Sequence, residues 1–297
     1  MKTKILFFFF IFLNYKTLHT EPLVNIDWVA NNICNETFKV IEIGKSLNSY
    51  EVEHISCSIY TNFYKENWRI KKNKIPFTLP EPNQIKNLIE KLGIKETDTI
   101  VLYPKKNDKY AMAEVTAIYF TFKYVGHINI FILNGSFKEF KKNYPLKVDE
   151  GGMPLIEKSS YKLNINLNIL ANYEDVKENI RLKKALIDSR ENDFFYGINR
   201  LENIKKLGTI KGSKNIPSMW NLESRKLKFN QTSVLKKIYE IKKIDGNNDY
   251  PIFFCNAGLE SSLNWFVSSE ILKHKKARLY DASLYDWINR KEDLFVE

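Results

Sequence analysis

The sequence predicts an α/β protein of two tandem domains, each a mainly parallel sheet covered by helices on both faces. The chain has 297 residues, which is the length of about two domains. Similar segments recur in the same order at offsets of roughly 150 residues, as expected of a duplicated domain. Within each half, short apolar runs alternate with amphipathic helices, a pattern typical of a parallel sheet that is buried on both faces.

Four pairs of segments define the repeat. Residues 40–44 resemble 186–190, residues 53–56 parallel 208–211, residues 100–103 parallel 251–254, and residues 131–137 match 278–284. Since four pairs keep one order, we interpret the second half as a copy of the first. The predicted organisation is a signal peptide over 1–20, an N-terminal domain over 21–146, a linker over 147–166 and a C-terminal domain over 167–297.

The spacing of apolar residues, together with Pro and Gly, predicts the helices and strands of the first half. Ile85, Leu88, Ile89 and Leu92 have the spacing of one helix face, with Pro82 near the start and Gly93 after the end. A strand over 100–103, a helix over 110–124 and a strand over 130–133 are predicted next.

The second half repeats this series. Its matching helix covers 234–241, and the polar stretch 245–248 ends it. An apolar strand over 252–254 then leads into Cys255, and a further helix is expected to begin near Ser261. Residues 147–166 are predicted to be a linker because they contain Gly151, Gly152 and Pro154, which are typical of loops.

Composition narrows the function classes. The formal charge is +11. Hydrophobic residues make up 44% of the chain, which is enough to bury a core, and wholesale disorder is therefore excluded. Three Cys exclude a disulfide scaffold and a multi-Cys zinc framework, and four His leave little material for a metal site. We expect no metal, no cofactor and no nucleic-acid partner, because the lysine runs lack a binding motif and are typical of solvated faces.

The first twenty residues have the pattern of a secretory signal. Lys2 and Lys4 precede an apolar run over 5–13, which is too short for a stable membrane span. The expected location is the secretory pathway or the exterior of the cell. A leader that stays attached, or a mitochondrial or cytoplasmic location, remains the alternative. Cys34 and Cys57 would have the opportunity to pair in an oxidising compartment, but their spacing does not establish the bond.

The strongest chemical signal is the strand, Cys255, short loop and helix in succession. Parallel sheets collect ligands at the carboxyl ends of their strands, where helix N-termini and loop N–H groups favour a thiolate. A thiolate is the nucleophilic form of cysteine. The alternative is that Cys255 is a small buried hydrophobic residue.

These features resemble the tandem rhodanese family of sulfurtransferases. The matching stretches are residues 24–28, 79–82, 125–127, 133–137, 186–190, 208–213, 216–217 and 279–283. The resemblance implies two rhodanese-like domains, a catalytically inert first copy, and a catalytic Cys255 in the second. Pro104 agrees with this, since it follows the first-domain strand where Cys255 follows the second.

The resemblance also implies a reaction and a site. Cys255 would take a sulfane sulfur from thiosulfate or 3-mercaptopyruvate as a persulfide and pass it to a thiol or cyanide. The partners would be this small anionic donor and its acceptor, with the protein a monomer. The loop that cradles the sulfur would consist of Asn256, Ala257, Gly258, Leu259, Glu260 and Ser261.

Two charged residues receive roles by the same resemblance. Arg190 would bind the anionic donor, or else it bridges a strand and a loop. His54 would serve as a proton relay, or else it is a structural histidine. Asp188 would orient the loop that carries Arg190.

Several positions depart from the family pattern. Asn256 is neutral where thiosulfate-type members have a basic residue, and Ala257 lacks the hydroxyl usual in mercaptopyruvate-type members. Glu260 stands where a small hydroxyl residue is usual, and a carboxylate near the thiol would raise its pKa. Phe194 replaces a second donor-binding arginine. A catalytically weak or inactive binding protein for a sulfur carrier or protein partner is therefore the alternative function.

A phosphatase of the Cys-x5-Arg type is excluded by spacing. That chemistry needs an arginine six residues after the cysteine to bind phosphate, and this position is Ser261.

Overall fold

A computed structural model describes residues 21–106, 110–223 and 227–296 of the chain. The predicted signal peptide over 1–20 lies outside the described residues. None of the helices within these ranges is long and apolar enough to cross a membrane.

The first half alternates short strands with helices. Its elements are β1 (Leu23–Val24), α1 (Ile26–Asn32), β2 (Phe38–Ile43), α2 (Leu47–Val52), β3 (His54–Ile55), β4 (Ile59–Thr61), β5 (Ile70–Lys72), β6 (Ile75–Thr78), α3 (Pro82–Lys91), β7 (Thr99–Pro104), α4 (Ala111–Tyr124), β8 (Ile130–Leu133), α5 (Phe137–Asn143) and β9 (Val148–Asp149).

The second half follows the same plan with shorter strands. Its elements are α6 (Tyr173–Arg181), β10 (Leu186–Asp188), α7 (Asn192–Phe195), β11 (Lys214–Asn215), α8 (Thr232–Ile241), β12 (Ile252–Phe254), α9 (Leu259–Phe266), β13 (Arg278–Leu279) and α10 (Ser283–Asn289).

Each half builds one parallel sheet with the same strand order. The first sheet runs β1-β8-β7-β2-β4, and the second runs β13-β12-β10-β11. The parallel pairing of Leu23 with Ile132 recurs as an isolated parallel bridge between Leu170 and Leu279. The predicted fold class and the duplication are therefore confirmed, and so are the predicted helices and strands of both halves.

The two halves share one core, centred on α4 and α9. Thirteen of the 14 residues of α4 are buried, because it is covered by its own sheet on one side and by α9 on the other. Edge-to-face ring pairs join the helices, Phe120 with Trp265 and Tyr119 with Phe266, both at 4.8 Å between centroids. This packing holds α9 in place next to the first domain.

The segment predicted as a linker is bound to the first domain along part of its length. Tyr161 is fully buried, the Ser159 N–H donates to the Glu90 carbonyl over 3.0 Å, and the Asn164 N–H donates to the Val125 carbonyl over 3.0 Å. Buried apolar contact and paired backbone groups fix this stretch in one path.

Cys34 and Cys57 form a disulfide, with 5.3 Å between their Cα atoms. The pairing that the sequence left open is thus present within the first domain. Cys255 remains as the free cysteine of the chain.

Candidate active site

Cys255 lies at the carboxyl end of β12, in the middle of the second sheet. Cys255 is 1% exposed to solvent. The neighbouring strand β10 reaches the same edge, where the Ser189 N–H donates to the Phe254 carbonyl over 2.9 Å. This is the sheet edge at which parallel α/β proteins bind ligands.

The loop after Cys255 turns sharply at Gly258. Its φ is +76°, and a Cβ atom at this position would lie 2.4 Å from the Asp281 carbonyl oxygen. Glycine is therefore required both by the left-handed backbone and by the close approach. The turn lets α9 begin at Leu259, two residues earlier than the sequence indicates.

Ser283 holds the loop from the opposite side. Its Oγ accepts hydrogen bonds from the Cys255 and Gly258 N–H groups, each over 3.1 Å, and donates to the Tyr280 carbonyl over 2.7 Å. The repeat includes Ser283, but the sequence does not indicate that this serine holds the loop. Its counterpart Ser136 instead caps its own helix, accepting the N–H of Glu139 over 3.1 Å.

Two residues of the loop, Ala257 and Ser261, supply hydrogen bonds to the thiol. The Ser261 hydroxyl lies 3.4 Å from Cys255 Sγ and donates to it. Backbone N–H groups of Ser261 and Ala257 also face the sulfur, and all three contacts lower the thiol pKa.

Burial nevertheless raises the pKa of the Cys255 thiol above its ordinary value, and the charge of Glu260 raises it further. The expectation that the loop by itself favours the thiolate is therefore corrected, because the cost of desolvating the anion outweighs the donors. The predicted effect of Glu260 on the thiol has the expected direction.

The remaining loop residues form a half-buried rim. Asn256, Ala257, Leu259 and Glu260 are all partly exposed. The Asn256 carbonyl accepts the Tyr285 N–H over 3.2 Å, which ties the loop to α10. Its Oδ1 atom is buried and has no hydrogen-bond partner among the described residues. This rim has no cation of its own, and its one charged side chain is the carboxylate of Glu260.

Arg190 has the contacts of a bridge between strand and loop. Its Nε donates to Asp188 Oδ1 over 2.9 Å, and its Nη2 donates to Asp188 Oδ2 over 2.5 Å and to the Gly208 carbonyl over 2.8 Å. The side chain is 4% exposed, and Thr209 completes the cluster by donating to Asp188 over 2.8 Å. These contacts are those of a bridge between strand and loop, and the donor-binding role of Arg190 and the orienting role of Asp188 stay predictions.

His54 lies in β3 of the first domain. It stacks on Tyr50 with 3.8 Å between ring centroids, and its Nδ1 is 2.9 Å from the Tyr50 carbonyl oxygen. The contacts that the described residues make with its ring lie within the first domain. They do not bring His54 to the Cys255 loop, and the proton-relay role stays a prediction.

The equivalent edge of the first domain has a different chemistry. The pairing of Glu42 with Tyr103 corresponds to that of Asp188 with Phe254, so Pro104 occupies the place of Cys255. The Tyr103 hydroxyl donates to buried Glu42 over 2.5 Å, and Lys105 Nζ lies 3.6 Å from the same carboxylate. A proline and an ion pair thus stand where the second domain has a thiol.

Comparison with known proteins places this architecture in context. A model of the rhodanese-like domain matches the chain twice, over residues 25–143 and 172–290. Putative thiosulfate sulfurtransferase 1 of Mycobacterium bovis is 28% identical over 89% of this chain and 93% of its own length. The sulfur carrier protein TtuD of Thermus thermophilus is 27% identical over 91% of this chain and 95% of its own length.

The fold also matches a solved structure. The crystal structure of SseA from Escherichia coli, from work on the rhodanese fold of 3-mercaptopyruvate sulfotransferases, superimposes with a TM-score of 0.74 at 18% identity. The match covers 89% of this chain and 99% of SseA.

Proposed function

The chain belongs to the rhodanese family, and on that premise we propose that it is a sulfurtransferase that carries sulfur as a persulfide on Cys255. The observation that supports this most directly is the free thiol at the carboxyl end of β12, with the Ser261 hydroxyl donating to its sulfur. The proposed donor is thiosulfate or 3-mercaptopyruvate, and the proposed acceptor is a thiol or cyanide.

The reaction proceeds in two displacements. The Cys255 thiolate attacks the outer sulfur of thiosulfate, or the thiol sulfur of 3-mercaptopyruvate, and forms an S–S bond. The S–S bond of thiosulfate, or the C–S bond of 3-mercaptopyruvate, breaks at the same time. Thiosulfate then leaves as sulfite, and 3-mercaptopyruvate leaves as the enolate of pyruvate, which takes up a proton. The acceptor next attacks the outer sulfur, the S–S bond breaks, and the thiolate returns.

The loop acts on the charge that moves through these steps. The N–H groups of Ala257 and Ser261 and the Ser261 hydroxyl stabilise negative charge on Cys255 Sγ and on the persulfide. In this proposal Arg190 is a positioning residue, because its guanidinium is occupied by Asp188. The first domain is an inert copy that supports α9 through α4.

Intact mass spectrometry tests the proposal. Purified protein incubated with thiosulfate or with 3-mercaptopyruvate should gain the mass of one sulfur atom, and the Cys255→Ser variant should not. If correctly folded protein gains no sulfur from either donor, the enzyme proposal fails.

A second candidate function is a catalytically weak or inactive rhodanese-like protein that binds a sulfur carrier or a protein partner. It is favoured by the buried thiol, whose pKa is raised by burial and by Glu260. The same mass measurement decides between the two functions, since the binding protein acquires no persulfide.

We further propose that the protein acts in the secretory pathway or outside the cell. The apolar leader over 5–13 and the disulfide between Cys34 and Cys57 support an oxidising compartment. N-terminal sequencing of native protein should show that residues 1–20 are removed. Retention of the leader together with two reduced cysteines would instead favour a cytoplasmic protein.

A further inference from the structure

A lysine-rich cleft lies at the opposite edge of the second sheet from Cys255. Its volume is about 440 Å³, and it opens at the amino ends of β10 and β11. Five lysines and one carboxylate, that of Asp249, contribute to its lining. The lysines are Lys183, Lys184, Lys211, Lys214 and Lys243.

These lysines carry charge that the described residues do not neutralise. None of the five makes an ion pair within the part of the chain that the structure describes. Lys184 and Lys214 donate to backbone carbonyls, of Asn248 over 2.7 Å and of Lys243 over 2.5 Å. Lys183, Lys211 and Lys243 are exposed. Like charges gathered in one cleft repel each other, and a bound anion would relieve that repulsion.

The duplicated domain offers an internal comparison. Cys34 and Lys183 are the left-handed residues that follow the C-caps of α1 and α6, with φ of +63° and +53°. Cys57 and Gly212 occupy equivalent turns, with φ of +61° and +80°. In each turn a serine N–H donates to an isoleucine carbonyl three residues earlier, over 3.0 Å in the first domain and 3.1 Å in the second.

The first domain therefore closes this edge with a disulfide, whereas the second leaves it open. The counterparts of the two disulfide cysteines, Lys183 and Gly212, both line the cleft.

Two of the cleft lysines, Lys183 and Lys243, have left-handed backbone, as Lys74, Lys273 and Lys291 do outside the cleft. After α3 of the first domain the left-handed position is Gly93, with φ of +66°, and after α8 of the second domain it is Lys243, with φ of +51°. Glycine adopts this conformation without steric cost, and lysine does not. A lysine near a helix C-terminus stabilises the helix dipole, but that accounts for one lysine per helix rather than five in one cleft.

We propose that this cleft binds a sulfated polysaccharide. Lysine ammonium groups are compact point charges that bind sulfate oxygens. Two aromatic rings adjoin the cleft, since Lys184 Nζ and Lys211 Nζ each lie 5.1 Å from a ring centre, of Tyr250 and of Phe295. The choice of a polysaccharide over a nucleic acid therefore rests on the oxidising compartment proposed above.

The test compares two variants of equal net charge. The cleft variant carries Lys183→Gln, Lys211→Gln and Lys243→Gln. The control variant carries Lys65→Gln, Lys95→Gln and Lys138→Gln, three exposed lysines of the first domain. Calorimetric titration with a heparin-derived dodecasaccharide should show binding about tenfold weaker for the cleft variant, since each exposed charge pair contributes modestly. The control variant should bind like the wild type.

Further measurements identify the class of ligand and the place on the protein where it binds. The desulfated dodecasaccharide should not bind, and a single-stranded oligonucleotide of equal charge should bind more weakly than the sulfated one. Amine acylation of the wild-type protein, read by peptide mass, should show protection of Lys183, Lys211 and Lys243 by the dodecasaccharide.

Three outcomes would overturn the proposal: equal weakening in both variants, protection elsewhere, or tighter binding of the oligonucleotide. Sulfur loading of Cys255 should be the same in the cleft variant and the wild type, because the cleft lies at the other ends of the strands. A failure of sulfur transfer in both proteins would count against the proposed enzyme and not against this cleft.

Discussion

The Ser261 hydroxyl donates a hydrogen bond to Cys255 Sγ over 3.4 Å, from a position six residues further along the chain. The loop and the first turn of α9 bring the two side chains together. The sulfur is buried, so this donor acts where water does not compete with it. The reactivity of the thiol therefore depends on a balance between burial and a small number of donors.

Removing that donor should make the thiol less acidic. We expect Ser261→Ala to raise the pKa of Cys255 by about one unit, because hydrogen bonds to a charged group contribute about 1.5–3 kcal/mol. Alkylation by iodoacetamide, followed by intact mass, should be about tenfold slower at neutral pH. Ser269→Ala, a serine beyond α9, serves as the control and should leave the rate unchanged. A faster reaction in Ser261→Ala would contradict the donor role.

Removing the nearby carboxylate should have the opposite effect. The charge of Glu260 raises the pKa of Cys255, so Glu260→Thr and Glu260→Gln should both lower it and speed alkylation. In the wild type, the rate should still be rising at pH 9.0, the ordinary pKa of the thiol, because the folded pKa lies above it. Glu240→Gln on α8 is the matched control. Equal rates in all four proteins would show that Glu260 does not act on the sulfur.

Arg190 should matter more for stability than for donor binding. Arg190→Gln leaves Asp188 buried without its cation, which costs about 3–5 kcal/mol in the free energy of unfolding. Adding Asp188→Asn should restore part of that loss, as measured by urea denaturation. If Arg190→Gln is as stable as the wild type but needs far more thiosulfate for sulfur loading, the donor-binding role is correct instead.

The disulfide of the first domain should stabilise the fold. It closes a loop between cysteines 23 residues apart. Replacing both Cys34 and Cys57 with alanine should lower the free energy of unfolding by about 3 kcal/mol, since the unfolded chain regains the entropy of that loop. Unfolding of the wild type with and without a reducing agent should show a similar difference. The double variant should in turn be insensitive to the reductant.

His127 should make the protein sensitive to acid. Burial lowers the pKa of this histidine to about 4, from 6.5 in the unfolded chain. Between these values the unfolded state binds more protons, so stability is fully present above pH 6.5 and falls as the pH drops towards 4. The loss reaches about 3 kcal/mol at the lower end. In His127→Asn this part of the pH dependence should vanish from urea titrations, and an unchanged pH profile would contradict the assignment.

Much of the fold could be predicted because its signals are local. The apolar spacing of Ile85, Leu88 and Ile89 identifies α3 without reference to any other part of the chain, and the same holds for the short strand before Cys255. The repeat was detectable because both copies keep their strand ends in one order. Cys255 itself was identified by its place after a strand and before a helix.

The properties of the candidate site could not be predicted in the same way. Whether Arg190 faces a ligand or Asp188 depends on the path of its side chain, and the spacing of the two residues allows both. His54 belongs to a β3 strand whose position relative to the second domain is set by packing. Ser283 reaches Cys255 across 28 positions of the chain.

The sequence by itself determined that this protein is a duplicated α/β chain with one thiol at a strand end, because apolar period and strand order are written in neighbouring residues. Tertiary structure alone decided that burial outweighs the loop donors at Cys255, that Cys34 pairs with Cys57, and that five lysines meet at one sheet edge. These features depend on distances between residues far apart in the chain and on how much water reaches them, and no local pattern encodes either quantity.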